Sequence, residues 1–248
     1  MKYSLHIGLN FVDAFAYNGW DGKLADCITD MENMEALANQ NGYATLVLPN
    51  SHANYGNVKR TFDYLAKTAN TGDRVLITYS GHGSNYEDDN GDELDGRDEV
   101  WCLYNGGLRD DELNAWLAKF KAGVEVLLLS DSCHSGTMSR AMPTQKKTKA
   151  LVMVEPKASV LLISGCQDPE YSASTGKGGA FTLAFLKAWT KKEAVSPLQR
   201  LFNWILPPKP TKPNLGELYE QILRNVKGQK PNWYETGAKT NWGTKSVF

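Results

Sequence analysis

Short runs of apolar residues recur along the chain and alternate with segments whose apolar residues fall at helical spacing. The runs have the length and composition of strands buried on both faces, and they span residues 3–9, 43–48, 74–79, 124–129 and 159–163. Helices are predicted between or after them, at residues 23–41, 57–69, 110–120, 180–189 and 216–226. This alternation predicts an α/β fold with a mostly parallel sheet sandwiched between helices. In such a sheet ligands bind beyond the carboxyl ends of the strands.

Segments 83–99, 136–157 and 195–213 break the pattern and are predicted to be surface loops. The chain has 248 residues and 42% hydrophobic content, which is enough for one well-buried core. We therefore expect a single domain spanning residues 1–248.

The balance of charge excludes several classes of partner. With 27 basic and 28 acidic residues the formal net charge is -1, which gives no electrostatic basis for binding nucleic acid or an anionic membrane. The chain start does not resemble a signal peptide and no apolar stretch is long enough to span a bilayer, so we expect a soluble, cytoplasmic protein without membrane contact. The cysteines are scattered without paired spacing, which favours reduced thiols over disulfides or a zinc site.

Two predicted strands run into polar motifs with catalytic potential. The strand at 74–79 is followed by Ser-Gly-His-Gly, which contains His82, and the strand at 124–129 by Ser-Asp-Ser-Cys-His-Ser-Gly, which contains Cys133. If these strands are neighbours, the thiol and the imidazole can meet. A cysteine at neutral pH is mostly protonated, so a nucleophilic cysteine needs an adjacent base, and His82 suits that role.

A buried thiol and a gap-filling loop histidine are the structural alternatives for Cys133 and His82. The glycines beside His82 favour catalysis, because they let backbone approach a ligand closely. The amide N–H groups of Gly83 and Cys133 are predicted to form the oxyanion hole for a tetrahedral intermediate. His134 is a competing base, but adjacent side chains near a strand end tend to point apart.

The paired motifs YSGHGS and DSCHSGT, followed by SGCQD and GAFT, resemble those of the metacaspases and related prokaryotic caspase-like peptidases. The histidine precedes the cysteine by 51 residues, close to the interval of about 50 in caspases. The resemblance implies a caspase–hemoglobinase fold and a cysteine endopeptidase that acts on proteins or peptides. It also implies a large-subunit-like part at 1–140, a basic linker at 141–157 and a small-subunit-like part at 158–248, in a protein expected to act as a monomer.

The specificity of the predicted enzyme follows from an acidic residue near the cysteine. Asp131 lies two positions before Cys133, so on an extended segment both face the same way and Asp131 should line the pocket beside the nucleophile. A carboxylate there attracts Arg or Lys and repels Asp. By the resemblance, Asp30 and Ser80 complete this pocket. The structural alternatives are that Asp30 favours a helix start and that Asp131 caps a loop.

Residues 87–99 are rich in the hard oxygen ligands that calcium prefers, without the spacing of an EF-hand. Many metacaspases depend on calcium, and the resemblance assigns its ligands to Asp98, Asp110 and Asp111. Arg140 departs from that pattern, because calcium-dependent members can carry an acid at this position. A solvated acidic hairpin is the alternative.

Loop 137–157 contains Arg140, Lys146, Lys147 and Lys149, all of which the predicted pocket would accept, so self-cleavage there is one expectation and a plain basic linker the other. Two other functions remain open. A catalytically silent relative would serve as a scaffold or binding module. An active dyad would also support peptide ligation or acyl transfer, if an amine rather than water resolves the thioester.

Overall fold

The structure is a computed structural model that describes residues 1–87, 97–134, 155–167, 178–190, 212–226 and 231–246. Its strands are β1 Lys2–Gly8, β2 Ala44–Pro49, β3 Arg74–Glu87, β4 Arg97–Leu103, β5 Gly106–Arg109, β6 Glu125–His134, β7 Ser159–Gln167 and β8 Asn232–Gly237. The α-helices of the described part are α1 Cys27–Gln40, α2 Tyr55–Thr68, α3 Asp110–Leu117, α4 Ala180–Thr190 and α5 Leu215–Asn225. The predicted α/β fold is confirmed.

The strands form one sheet in the order β2-β1-β3-β6-β7-β8. The pairs from β2 through β7 are parallel, and β8 joins β7 in the antiparallel direction. Strand β4 pairs antiparallel with the far end of β3, and β5 pairs with β4. This order makes β3 and β6, the two strands that carry the histidine and cysteine motifs, direct neighbours at the centre of the sheet.

Each central strand is buried on both faces because helices cover both sides of the sheet. On β3, Val75 and Ile77 pack in one apolar cluster with residues of α2 and α3, whereas Leu76 packs in a second cluster with residues of α1, α4 and α5. Strand β6 alternates in the same way, with Leu128 in the first cluster and Leu129 in the second. Successive apolar residues of a strand therefore pack in two different cores, one on each face of the sheet, as the uninterrupted apolar runs predicted.

The predicted loop at 83–99 is wrong at both of its ends. Strand β3 continues to Glu87 and β4 begins at Arg97, and the two pair from Gly83 opposite Trp101 to Glu87 opposite Arg97. Backbone pairing with β4 satisfies the N–H and C=O groups of a segment whose composition is typical of turns. Of the other two predicted loops, 136–157 and 195–213, nearly all residues lie outside the described part.

The described residues of both motifs, as far as Ser84 and His134, belong to the strands rather than following them. The parallel pairing of β3 with β6 runs without a break from Arg74 opposite Glu125 to Gly83 opposite His134. The strands are therefore longer than the apolar runs that predicted them. None of the helices in the described residues is both long and apolar enough to cross a bilayer.

Candidate active site

The register of β3 and β6 brings the two motifs together in adjacent rows of one sheet face. His82 is paired with Cys133, and Ser80, two residues earlier, is paired with Asp131. Residues two apart on a strand share a face, so the two rows follow each other at about 7 Å along the strands. The side chain of Cys133 lies outside the described part of the chain, and the backbone register is what places this residue beside His82.

The His82 imidazole is held by a loop that precedes α1. Its Nε2 lies 3.1 Å from the carbonyl oxygen of Gly22. A carbonyl oxygen only accepts hydrogen bonds, so Nε2 carries the proton and Nδ1 is left as the basic nitrogen. The ring also packs against the indole of Trp20, with 4.8 Å between ring centroids. Burial lowers the pKa of His82 below its ordinary value, against the opposing effect of the Gly22 hydrogen bond. The imidazole is therefore a neutral base at physiological pH.

Tyr79 supports the backbone of His82 from the opposite face of the sheet. Its hydroxyl lies 2.7 Å from the His82 carbonyl and 3.1 Å from the Cys102 carbonyl, and its ring stacks on Trp101 at a centroid distance of 4.4 Å. A β-carbon at Gly81 would lie 2.6 Å from the Tyr79 hydroxyl. Glycine is therefore required at this position so that the phenol can reach the His82 carbonyl.

Gly83, which we predict to donate to the oxyanion, lies within the sheet. It is the register partner of Trp101 on β4 and of His134 on β6. The His134 side chain is outside the described part. The oxyanion hole formed by Gly83 and Cys133 stays a prediction.

The structure brings together the residues of the predicted acidic pocket. The Ser80 hydroxyl donates a 2.8 Å hydrogen bond to Oδ2 of Asp30, which reaches the sheet from α1. Asp131, Asp30 and Ser80 are all buried and line one cavity with apolar side chains of α1 and α4. Two carboxylates share this low-dielectric space, which favours a cation between them.

Gly179, directly before α4, and the first turn of α4 close over both acids. The Gly179 amide N–H donates to Asp30, at 2.9 and 3.0 Å from its two oxygens. The amide and the hydroxyl of Thr182 both donate to Oδ2 of Asp131, each at 3.0 Å. A β-carbon at Gly179 would lie 2.4 Å from the Asp131 carboxylate. The space left between the acids is about 10 Å³, roughly what one water molecule requires.

Burial and the neighbouring Asp131 charge raise the pKa of Asp30 to about 7, against the hydrogen bonds from Ser80 and Gly179. At neutral pH the pocket therefore holds a carboxyl group that is poised between its two protonation states.

This pKa predicts that the contribution of Asp30 to stability falls as pH rises. The carboxyl ionises near 3.8 in the unfolded chain and near 7 in the folded one, so the folded state holds the proton more tightly. The Asp30 contribution to the free energy of unfolding should decrease between pH 4 and pH 7, by at most about 4 kcal/mol, and Asp30→Asn should remove it. The buried His6, whose pKa is lowered to about 3, contributes in the opposite direction in both proteins, so the difference between the wild type and Asp30→Asn isolates the Asp30 effect. Denaturant unfolding of both proteins at pH 5 and pH 8 measures the effect.

Asp63→Asn is the matched control for this measurement. Hydrogen bonds from Lys119 and Lys59 lower the pKa of Asp63, so its ionisation is complete below the tested range and the substitution should leave the pH dependence unchanged. The same pH dependence in the wild type and in Asp30→Asn would contradict the assignment.

The predicted calcium ligands are only partly described. Asp110 and Asp111 form the start of α3, and the Asp111 amide donates to Oδ1 of Asp110 at 3.0 Å. The side chain of Asp98 lies outside the described part, although its backbone in β4 is the register partner of Tyr86 in β3. Among the side chains that are described, no three His, Cys, Asp or Glu residues lie close enough together to hold a metal ion.

Sequence reasoning missed four residues of this site. Trp20 and Gly22 contact His82, and Gly179 and Thr182 hold the two acids. The latter two fall within the GAFT motif, which was noticed only as part of the family resemblance.

The geometry defines a class of protein: an α/β sheet in which a histidine strand and a cysteine strand are paired beside buried acids is typical of caspase-like cysteine peptidases. Residues 8–230 match the sequence profile of the caspase domain. The chain belongs to this family.

Metacaspases are among the relatives of this chain. It is 33% identical to metacaspase-1 of Pyricularia oryzae over 217 residues, which are 78% of this chain and 52% of that protein. It is 37% identical to metacaspase-1 of Ajellomyces capsulatus over 151 residues, which are 55% of this chain and 41% of that protein. The chain thus spans less than two thirds of the length of these relatives. The resemblance to metacaspases is confirmed.

Solved structures share the fold. A crystal structure of a protein from Geobacter sulfurreducens is similar with a TM-score of 0.79 and 37% identity, covering 99% of this chain and 97% of that one. Caspase-1 from Spodoptera frugiperda is similar with a TM-score of 0.56 and 13% identity, covering 100% and 91%. The second likeness confirms the caspase-like fold.

Proposed function

We propose that this protein is a cysteine endopeptidase that cleaves peptide bonds after arginine or lysine. The pairing of His82 with Cys133, one row beyond Ser80 and Asp131, is the observation that carries the proposal. It combines a base, a nucleophile and a cation-binding pocket on one face of the sheet. Family membership supports the reaction type.

The dyad carries out acyl transfer in two steps. Nδ1 of His82 accepts the thiol proton of Cys133, and the thiolate attacks the carbonyl carbon of the substrate. The tetrahedral oxyanion is stabilised by the amides of Gly83 and Cys133, and the imidazolium returns the proton to the departing amine. Water then attacks the thioester and gives a proton to His82, which passes it to the departing sulfur of Cys133, so that the acid and the free thiol are released.

The Gly22 carbonyl supports both steps. By accepting from Nε2 it fixes the imidazole tautomer, and it interacts more strongly with the imidazolium than with the neutral ring. The same hydrogen bond therefore favours the charged state that develops as the thiol is deprotonated.

The acids of the pocket account for the selectivity. A guanidinium or ammonium group between Asp30 and Asp131 would replace an unfavourable contact of like charges by two ion pairs. The cavity of about 10 Å³ is smaller than such a group, so we expect the start of α4 to shift when the group enters. Substrate binding would thus exchange hydrogen bonds from Gly179 and Thr182 for bonds from the substrate.

A peptide-cleavage profile tests this function. We expect the purified protein to hydrolyse fluorogenic peptides with Arg or Lys before the cut and to leave the matched Asp peptide intact, with Cys133→Ala inactive on all of them. Equal turnover of Arg and Asp peptides would overturn the specificity. Absence of both turnover and thiol labelling would favour a silent scaffold, and ligated products would favour transfer to an amine.

Calcium activation and self-processing form the regulatory part of the proposal. Calcium would be held by Asp98, Asp110 and Asp111, whose carboxylates match its preference for hard oxygen ligands. Self-cleavage would occur within 137–157, nearly all of which lies outside the described part. The same profile, measured with calcium and with excess chelator, tests the first. Intact-mass comparison of the wild type with Cys133→Ala tests the second.

A further inference from the structure

The loop before α1 forms a compact unit around Trp20. Gly22 has a φ of +57°, and a β-carbon there would lie 2.8 Å from the Trp20 indole. On another side the indole packs edge-on against Tyr17 at 5.8 Å between centroids. The buried hydroxyl of Tyr17 donates to the Leu103 carbonyl of β4 at 2.6 Å. The indole is therefore held between its own loop and a support that is anchored to the sheet.

This unit makes two contacts with His82, and they come from neighbouring residues. The indole of Trp20 covers the imidazole, and the carbonyl of Gly22 accepts from Nε2. The indole lies so close to Gly22 that it leaves no room for a β-carbon there. The packing of Trp20 against Gly22 therefore determines both the contact of the indole with His82 and the position of the Gly22 carbonyl.

We propose that Trp20 is a positioning residue for His82: its indole holds the imidazole in the orientation that keeps Nε2 on the Gly22 carbonyl and Nδ1 available to Cys133. The proposal rests on the proposed function, in which His82 is the base. Trp20 itself need not touch the substrate.

Loss of the indole would free the imidazole in two respects. The ring would gain space to rotate about its side-chain torsions, and water would compete with the Gly22 carbonyl for Nε2–H. Burial lowers the pKa of His82 by more than the Gly22 hydrogen bond raises it, so exposure of the ring would raise this pKa towards its ordinary value. Two charged groups next to Trp20 and Gly22, Asp21 and Lys23, pair with each other at 2.9 Å.

Substitution by phenylalanine and by leucine separates positioning from simple packing. Trp20→Leu keeps an apolar side chain without a ring, and we expect kcat to fall by about 10²-fold with KM little changed, because misplacement of a catalytic group by about 1 Å has effects of this size. Trp20→Phe keeps an aromatic ring and should recover most of the kcat. Phe15→Ala is the control, since Phe15 lies in the same loop and is 95% exposed.

The His82 pKa, measured by NMR titration, supplies a readout that does not need turnover. We expect it to rise in Trp20→Leu, to stay near the wild-type value in Trp20→Phe and to be unchanged in Phe15→Ala. Equal kcat and equal His82 pKa in wild type and Trp20→Leu would overturn the positioning role, as would an increase in KM alone. If the wild type fails to cleave any peptide while the His82 pKa still responds to Trp20, the proposed function fails and the positioning role stands.

Discussion

Replacement of Cys133 by alanine is expected to abolish cleavage of arginine and lysine peptides, with a loss in kcat of at least about 10³-fold. His82→Ala should have an effect of similar size, and the double variant should be no worse than either single one. The physical reason is that the two groups act as a unit: without the base the thiol stays protonated, and without the thiol the base has nothing to activate. Steady-state kinetics on one fluorogenic peptide measure all three variants.

Matched controls come from a thiol and an imidazole elsewhere in the fold. Cys102 is fully buried and His52 is exposed, so Cys102→Ala and His52→Ala should keep kcat within about threefold, after a thermal unfolding check of the core variant. Alkylation by iodoacetamide should label the wild type at Cys133 and decline in His82→Ala. If Cys133→Ala keeps its activity, the assignment of the nucleophile is wrong.

The centre of the fold and the meeting of the two motifs were predictable because they depend on local pattern and topology. Strands β3 and β6 are apolar on both faces, so their runs stand out in the sequence, and parallel strands in one sheet bring their carboxyl ends to the same edge. What the pattern left open was whether they are neighbours. The register that pairs His82 with Cys133 resolves this question.

The strands that pair in the antiparallel direction were not predicted, for a different reason. The end of β3 and the start of β4 are polar and rich in Asn, Asp and Gly, and β8 is half exposed at the edge of the sheet. Their strand conformation depends on pairing with a neighbour rather than on burial of apolar side chains. Turn-forming composition therefore outweighed a tertiary interaction that one sequence does not display.

The contacts that complete the site are long-range, and this is why they were not found. Trp20 and Gly22 are some 60 residues from His82 in the chain, and Thr182 is 51 residues from Asp131. Nothing in the spacing of these residues signals a contact. In hindsight, the glycine after Trp-Asp and the two glycines before Ala-Phe-Thr mark places where backbone approaches a side chain too closely for a β-carbon.

The two acids are energetically unfavourable groups unless a cation joins them. Asp30 accepts hydrogen bonds from Gly179, directly before α4, and Asp131 accepts them from Thr182 in its first turn, and the positive dipole end of α4 partly compensates their charge. Partial compensation is consistent with the raised pKa of Asp30. Two buried carboxylates that lower the stability of the free protein are expected where they serve to bind a cation.

Asp131→Asn is accordingly expected to lower kcat/KM for an arginine peptide by about 10²–10³-fold, because removal of one partner from a buried ion pair costs about 3–5 kcal/mol. The asparagine side-chain oxygen can still accept from Thr182, so the start of α4 should keep its place. Cleavage of a peptide with glutamine before the cut should change much less, since its neutral amide gains little from the carboxylate. The ratio of kcat/KM for the two peptides is the quantity to measure, and Asp30→Asn should move it in the same direction.

The double variant Asp30→Asn with Asp131→Asn separates a shared cation site from two independent effects. If both carboxylates bind one guanidinium, the losses are coupled and do not add, because the second substitution acts on a cation that has already lost half of its partners. Asp63→Asn, an acid on α2 that pairs with Lys59 and Lys119, should leave the ratio unchanged. An arginine-to-glutamine preference that survives in the double variant would show that specificity comes from elsewhere on the protein.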